Sequence, residues 1–308
     1  MDVRQQQLEQ MRSGQGIIAA LDQSGGSIAK TLATYGITVH GDLGSPADGG
    51  TGVQAMDDAT MEAVHAMRAR IITSDVFTRQ RVIAAIIFPA TMSRRIDGVP
   101  AAEYLWEHKG IVPFMRCDQG LEPERDGAQV LRPIPGLPAL LDRGREAGVF
   151  GTKMRSVIAQ LTPTSVQAIV DQQFAIGCEI AAAGMVPILE PEVSINCPDK
   201  PAAEAQLLEH LIQRLDDLDD HQVLFKLTIP DVDNLYRPLM EHRNTVRVVA
   251  LSGGYTRDEA TRRLARNEGM IASFSRALTS ELHVDQSASE FDDRLDQAIS
   301  AIFAASVT

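Results

Sequence analysis

The stretch QVLFKLTIPD, residues 222–231, is a run of apolar residues with one charged side chain, Lys226, near its centre. A short apolar run rich in branched and aromatic residues is typical of a strand that is buried on both faces. An ammonium group in such a strand costs free energy unless it has a partner or a chemical task. Lys226 therefore marks a predicted buried strand and is also a candidate functional residue.

Seven further runs of this kind occur along the chain. They are GIIAAL (16–21), VIAAIIF (82–88), GIVPFM (110–115), VFGTKM (149–154), GMVPILEPEV (184–193), VRVVALSGG (246–254) and IASFSRAL (271–278). Eight buried strands that alternate with helices over roughly 260 residues predict an α/β fold, the (β/α)8 TIM barrel, here with an N-terminal helix. An open doubly wound sheet is the alternative, but it usually has fewer strands and a glycine-rich fingerprint after the first.

Several helix boundaries are marked between these runs. Thr162 followed by Pro163 predicts the start of one helix. Thr256 with Glu259 has the spacing of a capping box, and that helix is expected to end at Gly269. Ser287 with Glu290 repeats the capping-box spacing before the last apolar-periodic stretch of the chain. The alternation of strand and helix signals supports the barrel prediction.

Length and composition are those of a globular protein. The 308 residues are 44% apolar and 23% charged, and no apolar run approaches the ~20 residues of a membrane span. Because no Pro/Ser-rich linker divides the chain, we expect one (β/α)8 barrel domain over residues 1–308. The polar N-terminus and three cysteines without metal or redox spacing predict a cytoplasmic protein with reduced thiols.

Charge and residue types also limit the partners. The net charge of −12 argues against a nucleic-acid-binding protein, and the 5% of aromatic residues do not alternate with basic ones. A small anionic substrate remains compatible, because the charge of a pocket can oppose the net charge. The seven histidines are dispersed with no ligand-like pair, so no metal is expected. We expect a small-molecule substrate and no membrane partner, and a homo-oligomer is left open.

Polar residues follow the predicted strands at their C-terminal ends, where active sites of such barrels lie. Seven of the eight strand ends contribute: Asp22, Arg116, Lys153 with Arg155, Glu190 with Glu192, Lys226, Ser252 with Gly253 and Gly254, and Arg276. Each residue alone has an ordinary structural explanation as a helix cap, an ion-pair member, a snorkelling side chain or a turn. Because all of them would face one end of the barrel, their convergence favours a functional site.

These residue types suit carbonyl chemistry on a phosphorylated substrate. The amine of a lysine such as Lys226 is a nucleophile toward carbonyl carbons. Asp22 and either Glu190 or Glu192 provide carboxylates for general acid and base catalysis. The backbone N–H groups of Ser252, Gly253 and Gly254, with the charge of Arg276, suit a phosphate in the position usual for this fold. Across the barrel end, Arg116 and Arg155 suit a second phosphate.

Taken together, the motifs resemble class I fructose-bisphosphate aldolase of the short bacterial type. They are GIIAALDQSGGSIAK, GIVPFMRCDQG, FGTKMRS, VPILEPEV, FKLTIP, LSGGY and SFSRAL, in this order from about Gly16 to Leu278. The resemblance implies a metal-independent lyase of glycolysis and gluconeogenesis that needs no cofactor. It would cleave fructose 1,6-bisphosphate reversibly to dihydroxyacetone phosphate and glyceraldehyde 3-phosphate through a lysine Schiff base.

The resemblance also implies a role for each candidate residue. Lys226 matches the Schiff-base lysine, Glu190 the acid/base of carbinolamine formation and dehydration, and Glu192 the acid that supports the lysine site. Asp22 matches the aspartate of proton transfer at the C4 hydroxyl, and Lys153 matches the lysine that orients the substrate. The matched phosphate binders are Ser252, Gly253 and Arg276 for the 1-phosphate, and Ser24, Ser27, Arg116 and Arg155 for the 6-phosphate.

Two departures from the family pattern stand out. Arg116 occupies a position that is lysine in the animal enzymes, which keeps the charge but changes the donor geometry. The sequence IFAASVT lacks the tyrosine-ended tail that animal members use near enamine protonation. We therefore expect the residues from Ser306 onward to be dispensable. Glu190 and Tyr255 remain as candidates to protonate the enamine.

Other functions are compatible with the same pattern. Transaldolase-like and deoxyribose-phosphate aldolases are Schiff-base barrels as well, and a non-catalytic sugar-phosphate-binding protein could share the fold. A metal-dependent aldolase is a weaker alternative, because no histidine cluster is present. Nothing in the sequence indicates how strictly the C4 configuration of the ketose is read. Borohydride reduction in the presence of substrate separates the catalytic from the non-catalytic alternatives.

Overall fold

A computed structural model describes residues 1–23, 26–38 and 58–308. Eight parallel strands follow one another around a barrel, each paired with the next in sequence. They are β1 Ile17–Leu21, β2 Val82–Ile87, β3 Val112–Arg116, β4 Gly151–Ile158, β5 Val186–Val193, β6 Val223–Thr228, β7 Thr245–Leu251 and β8 Ile271–Ala272. Each of the eight overlaps one of the predicted apolar runs, so the barrel prediction is confirmed.

Three shorter strands are additions to the barrel. Arg95–Ile96 pairs with Val99–Pro100 in a small antiparallel ribbon, and Ala128–Gln129 pairs antiparallel with the end of β4. Between β8 and β1, the barrel approaches closure without a ladder. The backbone N–H of Ala20 donates to the carbonyl of Phe274 at 3.4 Å. The two terminal strands therefore meet along a narrow line, which we call the seam.

Helices surround the strands. They are α1 Val3–Ser13, α2 Gly26–Tyr35, α3 Asp58–Thr73, α4 Pro89–Met92, α5 Ala101–Glu103, α6 Leu137–Glu146, α7 Ser165–Ala182, α8 Lys200–Asp216, α9 Arg237–Met240, α10 Arg257–Leu264, α11 Arg276–Thr279 and α12 Ala288–Ala304. A π-helical turn, Tyr104–His108, continues α5. No helix in these ranges is long and apolar enough to cross a bilayer.

Some of the predicted helix boundaries are confirmed and others are wrong. The capping box of Ser287 and Glu290 is confirmed at the start of α12. Thr256 caps α10, but that helix ends at Leu264, well before Gly269. The side chain of Asn267 donates to the Arg263 carbonyl at 2.9 Å and so binds a carbonyl near the end of the helix. This side-chain contact is invisible in a pattern of apolar residues and glycines.

The predicted N-cap at Thr162 is wrong. Helix α7 begins at Ser165, and its N-cap is Thr164. Thr162 forms a local turn with Ser165 instead: the backbone N–H of each donates to the hydroxyl of the other, at 3.0 and 3.1 Å. Residues such as threonine and serine favour turns of this kind as well as helix caps. The pattern of Thr and Pro therefore located the region but not the first helical residue.

Helix α1 covers the N-terminal end of the barrel. Met11 is fully buried in a cluster of inward-facing strand residues that includes Ile18, Ile83 and Phe114. The side-chain amide of Gln10 donates to the carbonyls of Ile83 and Gly110, both at 2.8 Å. This floor fills the barrel from below with apolar side chains. The opposite end, where the strands terminate, is left for the polar groups.

Candidate active site

The C-terminal ends of the strands surround a cleft of about 510 Å3. Its lining includes seven residues predicted from the sequence: Asp22, Arg116, Lys153, Arg155, Glu190, Lys226 and Arg276. They come from β3, β4, β5 and β6 and from the segments directly after β1 and after β8. The barrel therefore brings together residues that lie up to about 250 positions apart in the chain, as the convergence of strand ends predicted. The cleft is the candidate active site.

Lys226 lies at the base of this cleft, beside Glu190. The register of β5 and β6 pairs Leu189 with Phe225, so Glu190 and Lys226 are the next positions along two neighbouring strands. The Lys226 ammonium lies 3.1 Å from Glu190 Oε1, and both side chains are buried. An amine and a carboxylate at this distance form a pair suited to nucleophilic attack with proton transfer.

Lys153 continues the chain of charges. Its ammonium lies 3.2 Å from Glu190 Oε2 and 2.7 Å from Asp22 Oδ2. Four buried groups of alternating sign, Lys226, Glu190, Lys153 and Asp22, therefore run across the cleft base. Each ion has at least one partner of opposite charge, which is what makes charged groups tolerable at this depth.

The electrostatics of the cluster keep its charges in place. Burial raises the pKa of the Asp22 carboxyl, but the charges of Lys153, Lys226 and Arg116 outweigh burial and hold that pKa well below its usual range. For Lys153, burial lowers the pKa, whereas Asp22, Glu190 and Asp118 raise it further than burial lowers it. Asp22 is therefore an anion and Lys153 a cation across the neutral pH range.

Asp118 is a central residue that the sequence interpretation missed. Its Oδ1 accepts from Arg116 Nε at 2.9 Å and from the Gly120 N–H at 3.2 Å. Its Oδ2 accepts from the backbone N–H of Arg155 at 3.3 Å and lies 3.9 Å from the Lys153 ammonium. The charges of Arg116 and Lys153 outweigh burial and lower the pKa of Asp118. Asp118 follows β3 as Asp22 follows β1, which is the signal that could have identified it.

Arg155 and Glu192 form a second pair beside the main chain of charges. Arg155 Nε donates to Glu192 Oε2 at 2.6 Å. Arg155 reaches the cleft, whereas Glu192 is not part of its lining. Glu192 therefore contacts the lining of the cleft through Arg155. The two glutamates of β5 point toward the same side but contact different cations.

The loop after β7 lies beside Arg276 but outside the cleft lining. Gly253 has φ of +60° and Gly254 has φ of +124°, conformations that favour glycine. A Cβ on Gly253 would also lie 2.6 Å from Ile195 Cγ2. A Cβ on Gly254 would lie 3.6 Å from Arg276 Nη2, which shows how closely this backbone approaches the guanidinium. Ser252 precedes the pair and is buried.

The side chains of two predicted residues, Ser24 and Ser27, are not described by the structure. Ser24 lies outside the described residues, and Ser27 lies on α2, where only its backbone is described. The same helix contributes unpredicted residues to the cleft rim, namely Lys30, Thr31 and Thr34. Sequence reasoning missed this rim because α2 reaches the cleft by packing over the strand ends, not by belonging to a strand.

Arg68 is a fully buried cation behind the site. Its Nη2 donates to the carbonyl of Gln23 at 2.7 Å, and its Nη1 donates to the Thr91 hydroxyl at 2.8 Å. Burial lowers the pKa of Arg68 to about 10, although the charge of Asp22 raises it. The guanidinium thus fixes the residue that follows Asp22. Nothing in the apolar periodicity of α3 announces a buried arginine.

Within the described ranges, no group of three or more His, Cys, Asp or Glu side chains is arranged to hold a metal ion. The three cysteines form no disulfide. The cation-rich cleft, with carboxylates placed between the cations, instead suits an anionic substrate that undergoes proton transfer.

Two proteins of known function resemble the chain over its whole length. The chain is 49% identical over 309 residues to "Fructose-bisphosphate aldolase class 1" of Synechocystis sp., covering 100% of this chain and 99% of the relative. It is 44% identical over 305 residues to the protein of the same name from Porphyromonas gingivalis, covering 99% of this chain and 100% of the relative. No family model matches the chain.

Two solved structures share the fold at low identity. A crystal structure of fructose-bisphosphate aldolase from Plasmodium falciparum matches with a TM-score of 0.73 and 17% identity, covering 99% of this chain and 95% of that one. The structure of Cgl0159 from Corynebacterium glutamicum matches with a TM-score of 0.52 and 13% identity, covering 98% and 92%. At these identities the two structures support the barrel fold alone.

Proposed function

Because the chain belongs to the class I fructose-bisphosphate aldolase family, we propose that it cleaves fructose 1,6-bisphosphate reversibly to dihydroxyacetone phosphate and glyceraldehyde 3-phosphate. One structural observation supports the proposal in addition to sequence similarity: the buried amine of Lys226 lies in the cleft, 3.1 Å from Glu190. A lysine in this setting is suited to form a Schiff base with the substrate ketone. The proposed reaction serves glycolysis and gluconeogenesis.

Schiff-base formation uses Lys226 and Glu190. The Lys226 ammonium gives one proton to Glu190, and the resulting free amine attacks C2 of the open-chain ketose. A C–N bond forms, the C=O π bond breaks, and a second nitrogen proton moves to the oxygen, which gives a neutral carbinolamine. Glu190 returns its proton to this hydroxyl, which leaves as water, so the nitrogen becomes a protonated Schiff base and Glu190 is a carboxylate again. Glu190 Oε1 lies 3.1 Å from the Lys226 nitrogen, and Lys153, 3.2 Å from Oε2, remains beside this carboxylate.

Carbon–carbon cleavage uses Asp22. As the C4 hydroxyl gives its proton to the Asp22 carboxylate, the C3–C4 electron pair moves toward the cationic nitrogen. Glyceraldehyde 3-phosphate leaves and an enamine remains on Lys226. The neighbouring charges keep Asp22 ionised, which is the state that accepts a proton. Lys153, 2.7 Å from Asp22, orients this carboxylate and supports the hydroxyl groups of the substrate.

The enamine is then protonated at C3, and water hydrolyses the Schiff base to release dihydroxyacetone phosphate. We assign the protonation to Glu190 rather than to Tyr255. The Tyr255 ring packs beneath the Arg263 guanidinium, at 4.5 Å from the ring centre, and Tyr255 is not among the residues that line the cleft. Glu190 is a carboxylate after the dehydration step, and it regains a proton from Asp22 through Lys153, which lies 2.7 Å from Asp22 and 3.2 Å from Glu190. Because Glu190 lies beside the reacting nitrogen, it passes this proton to C3, and both carboxyl groups return to their starting state.

The two phosphates occupy opposite sides of the cleft in this proposal. Arg276 and the neighbouring backbone of Gly254 bind the 1-phosphate, supported by their close approach. Arg116 and Arg155 bind the 6-phosphate, and Asp118 holds both in position through a side-chain and a backbone contact. The remaining binders proposed from the resemblance are Ser252 and Gly253 for the 1-phosphate, and Ser24 and Ser27 for the 6-phosphate.

The test is reduction with borohydride in the presence of fructose 1,6-bisphosphate, followed by peptide mass spectrometry. We predict a stable adduct on Lys226 and none in Lys226→Met, because only a lysine amine can form the imine that is reduced. Glu190 keeps Lys153 as a partner in this variant, so the fold is expected to persist. Lys30→Met, which removes a lysine from the cleft rim, is the matched control and should retain the adduct.

An adduct that forms fully on Lys153 or another lysine in Lys226→Met would overturn the assignment. Product analysis distinguishes the remaining Schiff-base aldolases, since only the proposed activity releases two triose phosphates. We also propose that residues 1–308 act as one catalytic domain in the cytoplasm. The unpaired cysteines and the packing of α1 and α12 against the barrel support this view.

A further inference from the structure

The seam between β8 and β1 lacks the ladder that joins the other neighbouring strands. Strand β8 comprises only Ile271–Ala272, and it pairs with β7 alone in the described sheet. The N–H of Ser273 donates to the Ala250 carbonyl of β7 at 2.8 Å. Successive backbone N–H groups of a strand point in opposite directions, so the N–H of Ala272 faces the seam. A buried N–H without a partner there would cost free energy.

Ser306 supplies that partner. Its hydroxyl accepts from the Ala272 N–H at 3.0 Å and donates to the Ile302 carbonyl at 2.9 Å, so both its donor and its acceptor are used. The side chain is buried, with 5% of the residue exposed. The expectation that turnover survives removal of the residues from Ser306 onward stays a prediction, but Ser306 itself is a buried residue with two hydrogen bonds. This serine replaces a ladder hydrogen bond that β1 does not provide.

The same segment leads directly to the cleft. After Ala272, the Phe274 carbonyl accepts from the Ala20 N–H, and the Ser275 hydroxyl accepts from the side-chain amide of Gln23. Arg276 is the next residue, and it lines the cleft together with Gln23. The backbone that carries Arg276 is thus held on the seam side by three contacts, and Ser306 provides the first of them.

We propose that Ser306 is a positioning residue for Arg276: by closing the seam at Ala272, its hydroxyl sets where the Arg276 guanidinium lies in the cleft. The proposal rests on the proposed function, in which Arg276 binds the 1-phosphate. Ser306 reaches the cleft only through the segment Ala272–Arg276, so its effect is on binding of the phosphate and not on the chemistry at Lys226.

Steady-state kinetics of Ser306→Ala test the proposal. We expect KM for fructose 1,6-bisphosphate and for fructose 1-phosphate to rise ~3–10-fold, the range of one lost hydrogen bond, with kcat changed less than about twofold. Ser306→Thr keeps the hydroxyl and should restore most of the affinity. Ser300→Ala is the matched control, because Ser300 is an α12 serine whose hydroxyl accepts from Arg81 at the surface. Its KM should not change.

Two further measurements separate positioning from a general loss of structure. In an Arg276→Ala background, Ser306→Ala should add no further rise in KM, because the group it positions is absent. The Ala272 amide should exchange with solvent roughly tenfold faster in Ser306→Ala than in Ser306→Thr. Unchanged KM in Ser306→Ala, or an equal rise with and without Arg276, overturns the proposal. The borohydride adduct on Lys226 should be measured in each variant. If no adduct forms even in the unmodified protein, the proposed aldolase activity fails, whereas an adduct with unchanged KM in Ser306→Ala contradicts only the role of Ser306.

Discussion

At the level of single residues, Glu190 has a demanding position. Its two carboxylate oxygens face two ammonium groups, Lys226 at 3.1 Å and Lys153 at 3.2 Å. In the proposed reaction, Glu190 holds a proton from the amine while Lys226 is a neutral carbinolamine nitrogen, so neither group is left as an unpaired buried charge. Lys153 in turn is shared with Asp22. The cluster can therefore change one charge during a reaction without stranding another.

Asp22 provides a test of this electrostatic balance. Its pKa in the folded protein lies below the ordinary value of 3.8. A carboxyl with a depressed pKa contributes stability that is present above the unfolded pKa and is lost as pH falls through the folded one. Asp22→Asn should therefore lower the free energy of unfolding at pH 7 by about 3 kcal/mol, the lower range for breaking a buried ion pair. Turnover should be lost as well.

The measurement is urea unfolding of both proteins at pH 7 and at successively lower pH. The difference between them should hold down to about pH 5 and shrink as pH falls below about 4, because the carboxyl of the unfolded chain then takes up a proton while the native carboxylate, whose pKa is lower, stays ionised. A difference that is constant over this range would show that Asp22 contributes by packing and not by charge. Lys153, whose pKa is raised, stays charged throughout and does not add a second transition.

The residue scale also shows where sequence reasoning reached its limit. Asp22, Glu190 and Lys226 were predicted because each lies in or directly after an apolar strand, where a charge is conspicuous. Asp118 lies two positions beyond its strand, so its place near a strand end was a weaker signal than that of Asp22, which follows its strand directly. Its importance comes from three partners on two strands, Arg116 on β3 and Lys153 and Arg155 on β4. Such convergence depends on strand register, which a linear pattern does not contain.

At the level of elements, the barrel strands were predictable and the helix boundaries less so. Strands buried on both faces are continuous apolar runs, so their positions can be read from the order of apolar residues along the chain. Helix ends depend on side-chain contacts such as those of Asn267 and Thr162. The packing of α2 over the cleft is a tertiary contact as well, and this is why its rim residues were missed.

Helix α1 yields a prediction about stability. Met11 is fully buried in the floor of the barrel, at the end opposite the cleft. Met11→Ala should lower the free energy of unfolding by about 2–5 kcal/mol, because it removes buried apolar atoms and leaves a cavity. KM should not change. Val3→Ala on the same helix is the control, since Val3 is 48% exposed, and denaturant unfolding should show almost no effect.

The elements that end at the cleft give a second prediction, on substrate phosphates. Arg276 follows β8 and Arg116 ends β3, on opposite sides of the cleft. Arg276→Ala should weaken fructose 1,6-bisphosphate and fructose 1-phosphate alike by roughly 10–100-fold, since a charge-assisted contact is lost. Arg116→Ala should weaken only the bisphosphate. Kinetics on both substrates decide the matter: equal losses in Arg116→Ala would show that Arg116 is not at the 6-phosphate.

At the level of the whole molecule, the net charge and the charge of the cleft lining differ in sign. The protein carries a net charge of −12, yet the cleft lining concentrates five cations among those predicted, namely Arg116, Lys153, Arg155, Lys226 and Arg276. A cleft between low-dielectric walls can focus a positive field within an acidic protein. The apolar floor and the charged cleft occupy opposite ends of one barrel, so core packing and anion binding do not compete for the same positions.

The whole molecule also determines which electrophile drives the reaction. An aldol cleavage needs a positive centre to receive the electron pair, and this is either a metal ion or a protonated Schiff base. In the part of the chain that the structure describes, no three potential ligands converge on a metal position, whereas Lys226 and Glu190 lie in contact in the cleft.

We therefore predict that dialysis against EDTA leaves turnover of fructose 1,6-bisphosphate within about twofold of the untreated protein, because the cation that receives the electrons is made from the lysine itself. A parallel borohydride reaction in EDTA should give the same yield of adduct on Lys226. Activity that disappears in EDTA and returns with Zn2+ would contradict this mechanism and place the electrophile on a metal.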